Sequence, residues 1–273
     1  MSPKHLLVHV DSSNEVEERL NLAVAIARRF GARLTGLFAE ADTVGASLVG
    51  RRSPERIEEA AAAARETFSS KVAAAGVDSE WWPLAGAGYA DLVNLTAACC
   101  RYVDLAIFGQ HDPERSRLPA DLVEQVLLEC GRPLLVVPSV GHHPDVGKRV
   151  AVGWNSSRES ARAVGDGLPL LAGAEFVGVL AFQQPSASEA PLAMPPANIV
   201  AHLALHGIAA SYQRVEQDDS GIGVVDSLLN YAFSSQADLI IVGARAEGFP
   251  VRHLSATTRE FLRVMVSPLL LSA

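Results

Sequence analysis

One stretch of the chain occurs twice, and the spacing between its copies restricts the folds available. Asp104-Leu105-Ala106-Ile107-Phe108-Gly109 returns as Asp238-Leu239-Ile240-Ile241-Val242-Gly243. Each copy is followed by a proline and an apolar run, Pro133-Leu134-Leu135-Val136-Val137 and then Pro268-Leu269-Leu270-Leu271. The beginnings correspond too: Leu6-Leu7-Val8-His9-Val10-Asp11-Ser12-Ser13 matches Val150-Ala151-Val152-Gly153-Trp154-Asn155-Ser156-Ser157. A repeat of roughly 135–145 residues is too long for a solenoid unit and has the size of a domain. The 273 residues therefore read as two copies of one domain, 1–138 and 148–273, joined by a Pro/Gly/His-containing linker, 139–147.

Within each copy apolar strands alternate with amphipathic helices. In the first, strand 5–10 precedes a helix over 15–30, with Val16, Leu20, Val24 and Ala27 on one face and Gly31 as its stop. Strand 33–39 and a loop near 42–53 follow. Helix 54–75 opens on Ser53-Pro54, a cap and first-turn pair. Strand 79–84, helix 88–101, strand 103–108, helix 119–130 and strand 133–137 complete the unit. The second copy reads as strand 149–154, helix 157–171, strand 175–182, a Pro/Ser/Ala-rich surface loop 183–196, helix 197–206, strand 209–216, helix 222–236, strand 238–243, a loop, helix 256–265 and strand 268–271. Such alternation predicts an α/β fold: two tandem doubly wound units, parallel sheets covered by helices on both faces.

Composition narrows the function classes. With 49% hydrophobic residues each half can bury a core. A net charge of −8 argues against DNA or RNA as partner, and Arg51-Arg52 reads as solvated loop. No run of about 18 apolar residues predicts a membrane span, and the start lacks a signal-peptide pattern, so a cytoplasmic protein is expected. Cys99, Cys100 and Cys130 have neither zinc spacing nor an even count, which suggests inert buried thiols. No metal site is expected; His142-His143 has no matching carboxylate or cysteine.

Val152-Gly153-Trp154-Asn155-Ser156-Ser157-Arg158-Glu159-Ser160-Ala161-Arg162-Ala163 and the doubled Asp-Leu-x-Ile-x-Gly…Pro-Leu-Leu ending resemble the universal stress protein (UspA) family, in a tandem two-domain form spanning essentially the whole chain. The resemblance implies five-stranded parallel sheets in the order 3-2-1-4-5, with ligand sites beyond the carboxyl ends of strands 1 and 4, where strand order reverses. It also implies ATP as the candidate cofactor. In nucleotide-binding members an Asp after strand 1 lies near adenine, and a Gly-x2-Gly-x9-Gly-Ser/Thr segment after strand 4 holds ribose and phosphates. Glycines admit phosphate oxygens close to backbone N–H groups, and the last pair opens a helix whose N-terminus favours anions.

Both halves depart from that pattern. In the first, Asp11 stands where the resemblance places the strand-1 Asp and Gly109 opens the second segment. Gly109-Gln110-His111-Asp112-Pro113-Glu114-Arg115-Ser116 then puts Asp112 at the second glycine position. The following helix begins at Ala120-Asp121, so two carboxylates face the place of a triphosphate, and this half reads as a vestigial site. In the second half Asn155 replaces the Asp, and it donates as well as accepts. Gly243 is followed by Ala246 and by a helix start at either Ala256-Thr257 or, counting back from Pro268, Ser255-Ala256. Ser255, Thr257 and Thr258, with Arg245 and Arg259, still suit an anion, or form an ordinary helix cap. The candidate nucleotide or anion set is thus Asn155, Gly243, Arg245, Ser255, Thr257 and Thr258.

The leading expectation is a stress-response regulatory or scaffold protein with weak or lost nucleotide binding, acting on an unidentified protein partner. The alternative is an ATP-binding sensor or slow ATPase using the second half. An adenylating ligase would need a glycine-rich Ser-Gly-Gly-x-Asp-Ser loop after strand 1, and neither copy has one. No nucleophile elbow or Walker A segment is present, so no catalytic residue is assigned and enzymatic activity is not expected. His9 reads as a core or strand-end histidine. His111-Asp112 reads as turn chemistry and His253 as solvated loop. The two short apolar last strands need cover as sheet edges; they predict an internal pseudo-dimer and are compatible with a further homodimer of chains.

Overall fold

The computed structural model describes residues 2–13, 15–40, 53–84, 89–112, 118–182, 198–215, 223–248 and 252–273. Arg51-Arg52, Pro113 to Ser116 and the loop read at 183–196 lie outside them.

The first half runs β1 (His5–Val10), α1 (Val16–Phe30), β2 (Arg33–Phe38), α2 (Pro54–Ala75), β3 (Ser79–Pro83), α3 (Tyr89–Cys100), β4 (Leu105–Gly109), α4 (Leu122–Cys130) and β5 (Leu134–Val137). The second runs β6 (Arg149–Trp154), α5 (Arg158–Leu171), β7 (Phe176–Phe182), α6 (Asn198–Leu205), β8 (Ser211–Val215), α7 (Val224–Ser234), β9 (Leu239–Gly243), a short hairpin of β10 (Ala246–Glu247) and β11 (His253–Leu254), α8 (Ala256–Val264) and β12 (Leu269–Ser272). The helix ends follow from local chemistry. Gly31 closes α1 in the left-handed region, φ 58°, where glycine has no Cβ penalty, and Pro54 sits in the first turn of α2.

Each half has the strand order 3-2-1-4-5, but the halves share one sheet of ten strands, β3-β2-β1-β4-β5-β12-β9-β6-β7-β8. The seam is the antiparallel pair β5–β12, with Leu134 opposite Leu271 and Val136 opposite Leu269; all other pairs in this sheet are parallel. Each apolar last strand thus covers the edge of the other, and the internal pseudo-dimer is a single continuous sheet.

Alternation along the central strands builds two cores. Leu105, Ile107, Leu135, Val150, Val152 and Ile241 face α1, α2, α5 and α6. Ala106, Phe108, Leu134, Val136, Ile240 and Leu269 face α3, α4, α7 and α8. Both cores cross the seam. The repeated aspartates have a shared structural task. Asp104 accepts hydrogen bonds from the N–H groups of Lys4 and His5, and Asp238 from those of Gly147, Lys148 and Arg149. Each ties the start of strand 4 to the start of strand 1, so the order reversal lies at the same place in both halves. Among the described residues no helix is long and apolar enough to cross a membrane, and no group of three or more His, Cys, Asp or Glu could hold a metal ion. The three cysteines are free.

Candidate functional site

The registers Val8–Ile107 and Val152–Ile241 make the two order-reversal points directly comparable. After strand 1, both halves make the same hydrogen bond: Asp11 Oδ1 accepts from Ser13 N at 3.1 Å, and Asn155 Oδ1 from Ser157 N at 3.1 Å. The acceptor oxygen that both residues share is therefore engaged in this bond. In the second half Ser156 holds φ 60°, a left-handed backbone unusual for a residue with a Cβ.

Among the described residues the first cleft is filled from within. Arg19 rises from α1 on the strand side and is only 3% exposed. Its Nη2 stands 3.0 Å from Asp11 Oδ1, an electrostatic contact without hydrogen-bond alignment. A Cβ added to Gly109 would strike the Arg19 guanidinium. On the other face His9, fully buried, stacks on Phe108 with ring centroids 5.3 Å apart and planes within 7°. His9 Nε2 lies 2.8 Å from the Ala39 carbonyl oxygen, which makes Nε2 the protonated nitrogen; Nδ1 has no hydrogen bond and lies 3.8 Å from Asp11 Oδ2. Burial pushes the Asp11 carboxyl up, but the Arg19 guanidinium, then His9 and the Ser13 donors, outweigh it and hold the group at about 2. Burial pushes the His9 imidazole down. What remains beside Asp11, Arg19, Gly109 and Gln110 is about 20 Å³, room for about one water.

The second cleft is open. About 270 Å³ is enclosed by Gly153, Asn155, Phe182, Leu228, Val242, Gly243, Arg245, Ser255, Thr257, Thr258 and Phe261 among others. All six residues selected from the sequence meet there. Of the two readings open for the helix start, Ser255 takes that of the cap. Ser255 is the N-cap of α8: its Oγ accepts from Thr258 N at 3.3 Å and lies 3.0 Å from Thr258 Oγ1. This settles the helix start at Ser255-Ala256 and satisfies part of the helix N-terminus internally. Arg245 Nε lies 3.9 Å from Glu247 Oε1. Arg259 is exposed and does not line the cavity. The expected loop after β9 is the β10–β11 hairpin, Ala246 opposite Leu254. Gly243 faces helix α5, where a Cβ would strike the backbone of Glu159 and Ser160; its missing side chain is required for packing as well as for opening the cavity.

Arg19, Gly153, Gln110 and Glu124 were not singled out by the sequence reading. Arg19 carried a signal, a charge within the apolar face of α1. Gln110 and Glu124 act across the seam, and only the seam reveals them. Gln110 Nε2 donates to the Leu262 and Arg263 carbonyls at 3.0 Å each. Glu124 Oε1 accepts from Leu254 N at 2.6 Å, directly before the α8 cap. The first half thus holds both ends of the helix that borders the second cavity. His111 Nδ1 is buried without a hydrogen bond, and His253 lies in β11, exposed.

No family model and no curated protein sequence matches the chain. Solved structures do. A universal stress protein from Archaeoglobus fulgidus superposes with a TM-score of 0.73 at 16% identity, covering 98% of this chain and 97% of that one. The fold is that of a tandem universal stress protein. A second structure described as a putative universal stress protein, from Pseudomonas aeruginosa, gives a TM-score of 0.65 at 14% identity, covering 99% and 93%. The cytoplasmic domain of a prokaryotic cation chloride cotransporter gives 0.53 at 13% identity, covering 98% and 94%. Similarity in fold alone does not assign an activity.

Proposed function

We propose that the chain is a cytoplasmic, universal-stress-type regulatory or scaffold protein, with working units 1–138 and 148–273, in which triphosphate binding is weak or lost and the output is a protein contact. The observation that carries this reading is the contrast between a first cleft filled, among the described residues, by Arg19, His9 and Phe108 and a second that stays open but carries Ala246 and Ala256 in place of glycines. Asp11 and Gly109 are then a vestigial site. Asn155, Gly243, Arg245, Ser255, Thr257 and Thr258 border the remaining binding cavity.

A second reading has one observation in its favour: Arg245 and the hydroxyls of Ser255, Thr257 and Thr258 gather at one helix start beside a cavity. It makes the second half an ATP sensor or slow ATPase. Calorimetric titration with Mg-ATP separates the two. Micromolar binding, lost on Val224→Trp, a change at a residue that lines the cavity, would establish the sensor and overturn the leading reading. The expected result is no heat up to millimolar ATP. Gly243→Val is unsuitable as the control because it would clash with α5.

A further inference from the structure

The first half shows what fills a cleft of this shape when the chain supplies the occupant itself. Two flat rings, His9 and Phe108, stack over the strand ends, and one ring nitrogen reaches the Ala39 carbonyl at the end of β2. In the second half the same positions are Gly153 and Val242, and the counterpart of Ala39, set by the pairs His9–Leu37 and Gly153–Leu180, is Phe182. No ring stands at these two positions. A Cβ at Gly153 would lie 2.9 Å from Val242 and 3.0 Å from Leu228, so these two side chains already pack over the place the His9 ring takes in the first half, and they line the cavity there. Phe182 and Phe261 complete an apolar lining.

The charged end of the cavity is partly satisfied from within. Arg245 faces Glu247, the Ser255 hydroxyl holds Thr258 N, and Ser255 N donates to the Arg245 carbonyl at 2.9 Å. A polyphosphate would have to break these contacts and would bring further negative charge beside Glu247. An uncharged ligand leaves them intact. The volume, about 270 Å³, lies just under the roughly 300 Å³ at which pockets for drug-sized ligands begin.

We infer that the second-half cavity takes a small, uncharged, planar ring compound carrying an N–H donor and no phosphate chain, seated between Val242, Leu228, Phe182 and Phe261. This rests on the reading that triphosphate binding is weak or lost. The test is calorimetric titration of the full chain, at mildly alkaline pH, with benzimidazole and indole as neutral ring probes and with Mg-ATP. The same titrations are made on Val242→Phe, which places a ring where the first half has Phe108, and on Val224→Trp in the cavity lining, with thermal unfolding to confirm that each variant folds. Sub-millimolar binding of a ring probe, weakened about tenfold or more in a folded filling variant, is expected. Ring probes that do not bind, or bind all variants equally, overturn the inference and leave the broader reading standing if Mg-ATP is also silent. Mg-ATP binding about tenfold tighter than the rings, and blocked by the same variants, overturns both.

Discussion

At the order-reversal point the first half carries His9, Asp11 and Phe108, with Arg19 packed over Gly109; the second carries Gly153, Asn155 and Val242 over Gly243. In the register that sets Asp11 against Asn155, Arg19 falls opposite Ala163. Strand order, the hydrogen bond that follows strand 1 and the strand-tying aspartates are common to both halves. The difference between a cleft with room for one water and a cavity of about 270 Å³ is therefore made by a handful of side chains on an unchanged frame. Closing the site required a buried charge with its partner, whereas leaving it open required small residues.

That contrast breaks most visibly at Arg19. Arg19→Ala leaves Asp11, 7% exposed, as a buried carboxylate without its cation, and removal of one member of such a pair costs about 3–5 kcal/mol. Urea unfolding of the variant checks it. Asn155→Ala, an exposed position in the other half, is expected to cost about 1 kcal/mol or less, the value of one ordinary hydrogen bond. A double change, Arg19→Met with Asp11→Leu, should recover most of the loss, since apolar replacement of a buried pair is often neutral. If Arg19→Ala is as stable as the parent, water reaches Asp11 and the first cleft is not closed.

The two motif glycines sharpen the comparison. Gly243→Ala drives a methyl into the α5 backbone, and Gly109→Ala meets only the end of the Arg19 side chain. Overpacking against backbone is expected to cost about 1–3 kcal/mol. The Gly109 change is expected to cost less, because a flexible side chain can yield. Thermal unfolding of the pair decides it; equal losses would mean that Arg19 is as rigid as the helix backbone.

The fold was legible because its signals are local and repeated. Apolar runs of strand length, Gly31 after α1, and Asp104 and Asp238 ahead of matching strands each announce an element from its own residues. Convergence of the six second-half residues on one cavity was legible for the same reason, since strand ends and the α8 start bring them together in any doubly wound sheet. What could not be read was which of the open alternatives each would take. Ser255 turns to Thr258 and Arg245 to Glu247, choices made by geometry over a few ångströms. The β10–β11 hairpin rests on two-residue strands, too short for a periodic signal. Gln110 and Glu124 find their partners 130 or more positions away, through a seam whose register no local pattern specifies.

Glu124 tests whether the halves depend on one another unequally. Its carboxylate holds Leu254 N across the seam. Glu124→Ala is expected to cost about 1–3 kcal/mol, the penalty of an unsatisfied buried N–H. Hydrogen exchange should rise at residues 253–258 while α7 stays protected. Uniform exchange across the second half would instead mean global loosening.

The smallest expected effect concerns pH and lies in the first half. His9 is held neutral by burial, against the opposing pull of Asp11 and Glu40. Its folded pKa lies below the unfolded value of about 6.5. As pH falls through that value the unfolded chain takes the proton first, so stability declines from there down to the folded pKa. His111, also lowered chiefly by burial, adds a contribution of the same sign. Asp11 behaves differently: held at about 2, it stabilises the fold above its unfolded value of about 4 and loses that contribution only as pH falls through about 2. Chemical unfolding of the parent between neutral pH and about pH 5 should therefore show a decline that His9→Gln reduces. The second half offers Gly153 at that position and cannot contribute there. A slope unchanged by His9→Gln would mean that the imidazole takes a proton within the folded cleft and that the His9–Phe108 stack is not a dry closure.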